Sequence, residues 1–314
     1  MDTTASSVRS DAKSKQHSKL FGYDIKNYLY ILPAFLFYFA FVILPMARTI
    51  YWSFFKTEGL DITEFVGLQN FQQLLTDPLF LNSFKNNVLW ACMVVTVPLL
   101  FALLLAVLLA QQKLIGRTFF RVILFLPQVI KSVIVAMIWR WMYHPDIGPV
   151  NLALRSVGLN SVARGWLGDS TWALPALAIG YSWAYYGFCM VIFLAALQSI
   201  DENLYDAAKM DGANAAQQFW YVTLPSIRFA IVTMVLFTLI ESFKVFDIVF
   251  VGTGGGPGYS TWVISLYLYN YVWYRLKLSY GLTSAVVHTL WIALMTIVLL
   301  RWRRRVQEDG GYAA

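Results

Sequence analysis

The sequence predicts an all-α, polytopic membrane protein with six transmembrane helices, and three observations lead to it. The 314-residue chain is 59% hydrophobic and only 13% charged, outside the usual balance of a soluble domain. Its apolar residues gather in six runs, 28–52, 87–109, 120–143, 172–198, 229–250 and 280–300, each near the roughly 20 residues a helix needs to cross a bilayer core. Within the runs apolar and polar residues do not alternate, as they would in barrel strands.

The net charge of +7 is distributed so as to orient these helices. With both termini cytoplasmic, the cytoplasmic segments hold 14 Lys/Arg: five in 1–27, three in 110–121, two in 199–228 and four in 301–314. The external segments hold six, Lys56, Lys85, Arg155, Arg164, Arg275 and Lys277, and the remaining four (Arg48, Lys131, Arg140, Lys244) fall in or beside helices. That is the positive-inside bias. It makes the 301–314 tail, with Arg301-Trp-Arg-Arg-Arg305, a cytoplasmic stop-transfer anchor in the lipid bilayer, and no nucleic-acid partner is expected.

Taken in order, segment 1–27 is polar, basic and rich in Ser and Lys, the composition of a disordered cytoplasmic tail. The run after it is too long for a signal-peptide core, so the first helix is retained in a membrane domain spanning 28–300. The external segment 53–86 carries Phe65-Val-Gly-Leu-Gln-Asn-Phe71, read as a short amphipathic piece at the interface. A basic loop, Gln111 to Arg121, returns the chain inside. The third helix stops at Tyr143-His-Pro-Asp-Ile-Gly-Pro149, where two prolines and a glycine forbid continuation.

Between the fourth and fifth runs lies a polar, helix-forming insert, Leu204-Tyr-Asp-Ala-Ala-Lys-Met-Asp-Gly-Ala213, running on to Val222-Thr-Leu-Pro225. Ala207 and Ala208 make a helix (about 201–214) thin enough to enter a groove, Gly212 lets the chain turn, and Pro225 starts the next element. On the cytoplasmic side such a helix is a docking knob for a soluble partner. After the fifth run, Thr253-Gly-Gly-Gly-Pro257 makes an irregular backbone, tolerable near a membrane only against water or protein.

The insert, with Asp206, Ala207, Ala208, Gly212, Leu224 and Pro225, resembles the coupling-loop or EAA signature of permease subunits in binding-protein-dependent ABC importers. The family carries elements similar to 65–71, to Gly158-Leu159 and Trp166-Leu167, and to Thr253, Gly255, Gly256 and Pro257. The likeness covers nearly the whole chain and is nearest to sugar permeases of the maltose and glycerol-phosphate type. One departure is Asp206, where the motif has glutamate; the charge is kept and about one methylene of reach is lost. The resemblance implies a type I ABC importer permease fold in a bacterial inner membrane, forming half of the path for a sugar or sugar derivative. It also implies three kinds of partner: a second homologous permease, two cytoplasmic ATPase subunits on the coupling helix, and an external solute-binding protein.

The chain itself is expected to be neither an enzyme nor a cofactor protein. Neither Lys13-Ser14 nor Lys131-Ser132 has the glycines of a phosphate loop, so ATP and Mg would be held by the partner ATPases. Cys92 and Cys189 fall inside spans and suggest no disulfide, and with His17, His144 and His288 isolated no metal site is expected.

Ionisable residues in a span cost at least ~2.5 kcal/mol each on insertion scales and are functional candidates by default. They are Lys131 and Arg140 in the third helix, Glu241, Lys244 and Asp247 in the fifth, and His288 in the sixth. Glu241, Lys244 and Asp247 stand at i, i+3 and i+6, where they could neutralise one another. Tyr181, Tyr185 and Phe188 form an aromatic face on the fourth helix; Thr238, Glu241 and Ser242, with Val245, form a polar one on the fifth. Sugars need that mixture, though such stripes also serve plain packing, and by resemblance these positions correspond to the family's sugar pocket. Lys131 could pair with Glu241, with the partner permease, or with an anionic substrate. The rival readings are an ion-coupled secondary transporter, which would also bury charges but has no need of a coupling helix, and an intramembrane enzyme, for which no catalytic set is present.

Overall fold

The computed structural model describes residues 19–20, 23–59, 61–110 and 116–311. They divide into a unit ending at Trp52 and one beginning at Ser53. Most of the disorder expected for 1–27 concerns residues outside this description; β1 (Lys19–Leu20) and β2 (Tyr23–Asp24) pair antiparallel. The first span is α1 (Ile25–Tyr38), a π-turn (Phe39–Ile43) and α2 (Leu44–Trp52). The π-turn has a cause: Pro45 cannot donate, its ring crowds the carbonyl four residues back, and the helix widens so that Leu44 N–H reaches Phe39 O.

The second unit opens with a hairpin, β3 (Phe55–Glu58) and β4 (Asp61–Phe65), followed by α3 (Gln69–Thr76). The segment expected as one amphipathic piece is therefore a hairpin plus a helix. Phe65–Phe71 spans their junction, with Gly67 at φ +58° and Asn70 Nδ2 donating to Ser53 O (2.9 Å) and Phe55 O (2.8 Å). Helix α4 (Pro78–Ala110) starts at Pro78 rather than at 87, and the polar Ser83, Asn86 and Asn87 that break the hydropathy of its first turns are buried against protein.

The third span is not the single helix its hydropathy suggests. It comprises α5 (Arg117–Phe125), a 3₁₀ turn (Leu126–Val129) and α6 (Ser132–Met142), bent by 98°. After α7 (Pro149–Ser156) comes α8 (Ala173–Gln198), the central helix. Then follow α9 (Glu202–Met210), α10 (Ala215–Gln218), a π-turn (Phe219–Thr223) and α11 (Leu224–Ser226). Helix α12 (Arg228–Phe243) departs from that run at 64°. The fifth run expected over 229–250 therefore divides at 244–246, into α12 and α13 (Asp247–Thr253). Helix α14 (Ile264–Tyr269), a π-turn (Asn270–Tyr274) and α15 (Leu278–Gly311) complete the chain. Among the described residues four helices are long and apolar enough to cross a membrane, and up to six spans result if each bent pair is one crossing.

The core is α4 packed on α8. Ala102 and Ala106 of α4 are fully buried, and small residues there let helices approach closely. Gly187 of α8 faces the broken span: a Cβ would lie 2.6 Å from Leu124 O and 2.9 Å from Phe125 Cα, both backbone atoms that cannot swing aside. The glycine-rich loop faces protein, as its irregular backbone requires. Thr253 and Thr261 share a hydrogen bond (2.7 Å), Asn86 Nδ2 donates to Trp262 O (2.9 Å), and Asn87 Oδ1 accepts from Ile264 N (2.7 Å).

Candidate functional site: the coupling helix and the broken spans

Helix α9 is defined at both ends by its own sequence. Asp201 caps it, its carboxylate accepting the Asn203 N–H at 3.0 Å. At the other end Gly212 N–H reaches Lys209 O and Ala213 N–H reaches Ala208 O, the paired bonds of a Schellman motif. Gly212 sits at φ +80°, yet a Cβ there would meet nothing within 4 Å. Glycine is thus required here by backbone conformation and not by crowding. Asn214 and Gln217 then form a capping box for α10.

Tyr205 shares a 2.9 Å hydrogen bond with Thr223, pinning α9 to the following π-turn. Asp206 is bridged to Lys209 at 2.9 Å with both side chains in solvent. Ala207 is exposed, Ala208 half-buried, and Leu204 and Met210 are 50% and 88% exposed, so α9 offers a slender, partly apolar surface. Beside it lies a cleft of about 680 Å³ bounded by Val107, Arg117, Tyr205, Asp206 and Phe219. Leu224 and Pro225 open the short α11, with Pro225 in its first turn, and α12 begins at Arg228. Pro225 also forces the π-turn before it, where Leu224 N–H reaches Phe219 O, as Pro45 does in the first span.

The breaks in the third and fifth spans re-sort the membrane charges. Lys131 is extended (φ −64°, ψ 146°), immediately before α6, with an exposed side chain. It does not pair with Glu241, whose carboxylate meets Lys244 Nζ at 2.7 Å. Asp247 leaves the expected row because α12 has ended; it heads α13 and accepts the Ser132 hydroxyl at 2.8 Å. Arg140 donates to Val251 O (3.3 Å), and His288 Nε2 to Phe243 O (3.0 Å).

The two expected substrate faces meet, but mostly each other. Tyr181 and Tyr185 stack with centroids 5.5 Å apart, and Phe188 bridges to Phe237 at 5.8 Å. Tyr185 shares a 3.1 Å hydrogen bond with Thr238, and Ser242 donates to Leu239 O at 2.7 Å. Tyr185, Thr238 and Ser242 are buried, whereas Tyr181, Phe188 and Glu241 keep partial exposure. In this conformation Tyr185 and Thr238 pack the α8–α12 contact, and Ser242 bonds back to its own helix.

Sequence reasoning missed a polar knot around Asp77. Its Oδ2 accepts from the phenols of Tyr267 (2.7 Å), Tyr271 (3.1 Å) and Tyr280 (3.2 Å), and its Oδ1 from Leu79 N–H (2.8 Å). Arg275 donates to Tyr271 and lies 4.5 Å from its ring centre. Burial pushes the Asp77 carboxyl up, but these donors outweigh it and hold its pKa below its ordinary value. The available signal was an aspartate ahead of a helix-starting proline, with tyrosines at i and i+4 elsewhere.

A model of the family described as binding-protein-dependent transport system inner membrane component matches residues 99–308. The chain belongs to this family. The permease is 30% identical to the probable ABC transporter permease protein YurN of Bacillus subtilis, over 90% of this chain and 97% of that one. It is 37% identical to the osmoprotective compounds uptake permease GgtC of Synechocystis (89% and 99%). It is 33% identical to the sulfoquinovosyl glycerol transport system permease SmoG of Agrobacterium fabrum (87% and 88%). A chain of a bacterial ABC transporter involved in import of the acidic polysaccharide alginate shares its fold: TM-score 0.78, 24% identity, 89% of the permease and 95% of that chain. Membership removes the secondary-transporter and intramembrane-enzyme readings.

Proposed function

We propose that the permease forms half of the translocation path for a sugar or sugar derivative, beside a second homologous permease. A binding protein delivers the solute outside, and two ATPase subunits, which hold ATP and Mg, dock on α9 in the cytoplasm. The observation that carries this reading is α9 itself: capped at both ends, pinned by Tyr205, and carrying exposed Ala207, Leu204 and Met210 away from the apolar spans. A helix so defined can move as a unit, so closure of the ATPases would swing it and switch the cavity between inward and outward access.

The sugar assignment is supported by relatives that include the lactose transport system permease LacF of Rhizobium radiobacter, 32% identical over 88% of this chain. Tyr181, Phe188 and Glu241, the half-exposed members of the two faces, are the side chains placed to meet it. Lys131 stands at a break in the membrane without an ion pair among the described residues, which suits an anionic substrate or a carboxylate of the partner permease. The test is ATP hydrolysis and uptake by the co-purified transporter in vesicles. Hydrolysis should depend on the external binding protein, and Lys131→Met should lose uptake of an acidic sugar while keeping that of a neutral one. Hydrolysis indifferent to the binding protein would overturn the reading.

A further inference from the structure

The hairpin β3–β4 leans on the start of α15 and leaves a cleft of about 320 Å³ between them. Lys56 lines it from the hairpin, and Lys277 from the position just before α15. Tyr271 and Tyr280, both donors to Asp77, form part of its wall, so that carboxylate stands behind phenols and is not in the lining. Among the described residues no carboxylate lines the cleft. Glu58 approaches Lys56 only to 4.0 Å with both side chains in solvent, and Glu64 is the cross-strand partner of Lys56.

Two features point to a ligand with oxygen acceptors. The first turn of a helix has N–H groups without intrahelical acceptors and a partial positive charge; here Thr57 Oγ1 takes the Ser279 N–H at 3.1 Å. The second is the Ser279 hydroxyl. The residue is 1% exposed and lines the cleft, and its Oγ has no hydrogen-bond partner among the described residues. A buried hydroxyl left unmatched beside two lysines and a helix N-terminus suits an oxyanion.

Depth narrows the class. The apolar part of α15, Leu278–Arg301, has 24 residues, which at 1.5 Å per residue is about 36 Å, against a hydrocarbon core of about 30 Å. Its first turn therefore lies among lipid headgroups. Trp273 and Tyr274, each 66% exposed, precede it, as aromatic residues do at a membrane interface. We propose that this cleft binds the phosphate of an anionic lipid headgroup, held by Lys56, Lys277 and Ser279. This rests on the permease reading only for its place at the membrane surface.

The test is retention of lipid by the intact transporter purified from mixed phosphatidylglycerol and phosphatidylcholine, read by native mass spectrometry. The wild type should keep a phosphatidylglycerol that the Lys56→Gln/Lys277→Gln variant loses, with phosphatidylcholine retention equal. If that variant is not recovered from membranes, Lys277→Gln or Ser279→Ala alone should lower retention several-fold. Equal phosphatidylglycerol retention in wild type and variants would overturn the proposal. So would displacement of the lipid by soluble glycerol phosphate, which assigns the cleft to a free phosphate. Unchanged retention with lost stimulation by the binding protein would assign it to an acidic side chain of that partner. Retention needs no transport, so a failure of the sugar-import reading would leave this measurement standing.

Discussion

The α9 segment and the Asp77 knot both fasten one part of the permease to another, but they are wired at different ranges. Around α9 every bond that shapes the segment is local: Asp201 to Asn203, Lys209 to Gly212, Ala208 to Ala213, and at the longest reach Tyr205 to Thr223, 18 residues apart. At the knot Asp77 gathers tyrosines 190, 194 and 203 residues away. A locally wired element keeps its shape while it moves relative to the core, whereas a knot of distant strands of chain is a brace. The difference suits a lever at one place and an anchor at the other.

The largest effect is expected at the brace. Asp77→Ala removes the acceptor of three phenols and the cap of α4, and four lost hydrogen bonds at about 1 kcal/mol each should cost roughly 3–4 kcal/mol. A thermal-unfolding midpoint of the purified complex equal to wild type would show that the knot braces nothing. Asp77→Asn separates charge from shape through pH. Because the folded pKa is lowered, the contribution of Asp77 is complete above the ordinary carboxylate range of about 4 and is lost as pH falls through the lower folded value. The wild type should therefore lose stability on the acid side by a margin that the Asn variant lacks, with no difference in slope near neutrality.

At the lever the effects should fall on coupling before stability. Gly212→Val places a β-branched residue at φ +80°, a strain of about 1–2 kcal/mol within one turn. The variant should insert and assemble normally, while binding-protein-stimulated ATP hydrolysis falls at least tenfold. Retained stimulation with a misassembled complex would reverse the roles given to the two regions. The smallest effect belongs to Tyr205→Phe, which removes one hydrogen bond worth about 1 kcal/mol. It should lower stimulated hydrolysis a few-fold and leave the unfolding midpoint within about a degree.

Range also explains what could be read in advance. Proline, glycine and cap residues act on their own neighbours, so α9, its turn and the glycine-rich loop are visible as patterns along the chain. Hydropathy sees length and not direction. The run 120–143 is apolar enough on average to pass as one span, so its 98° bend shows only as Pro127, Gln128 and Lys131 within it, which hydropathy does not read as a change of direction. The same blindness hid the break after Phe243, and with it the pairing of Asp247 with Ser132, whereas the Glu241–Lys244 pair follows the i, i+3 spacing.

By itself, the sequence determined that the chain crosses a membrane about six times and where a capped polar helix interrupts the spans. These follow from burial of apolar runs and backbone chemistry over a few residues. Only the tertiary structure decided that Tyr185 and Thr238 turn towards one another, that Lys131 lies apart from Glu241, and that three distant tyrosines share one carboxylate. Periodicity places a side chain on a face of a helix, but what lies opposite depends on the packing of elements far apart in the chain.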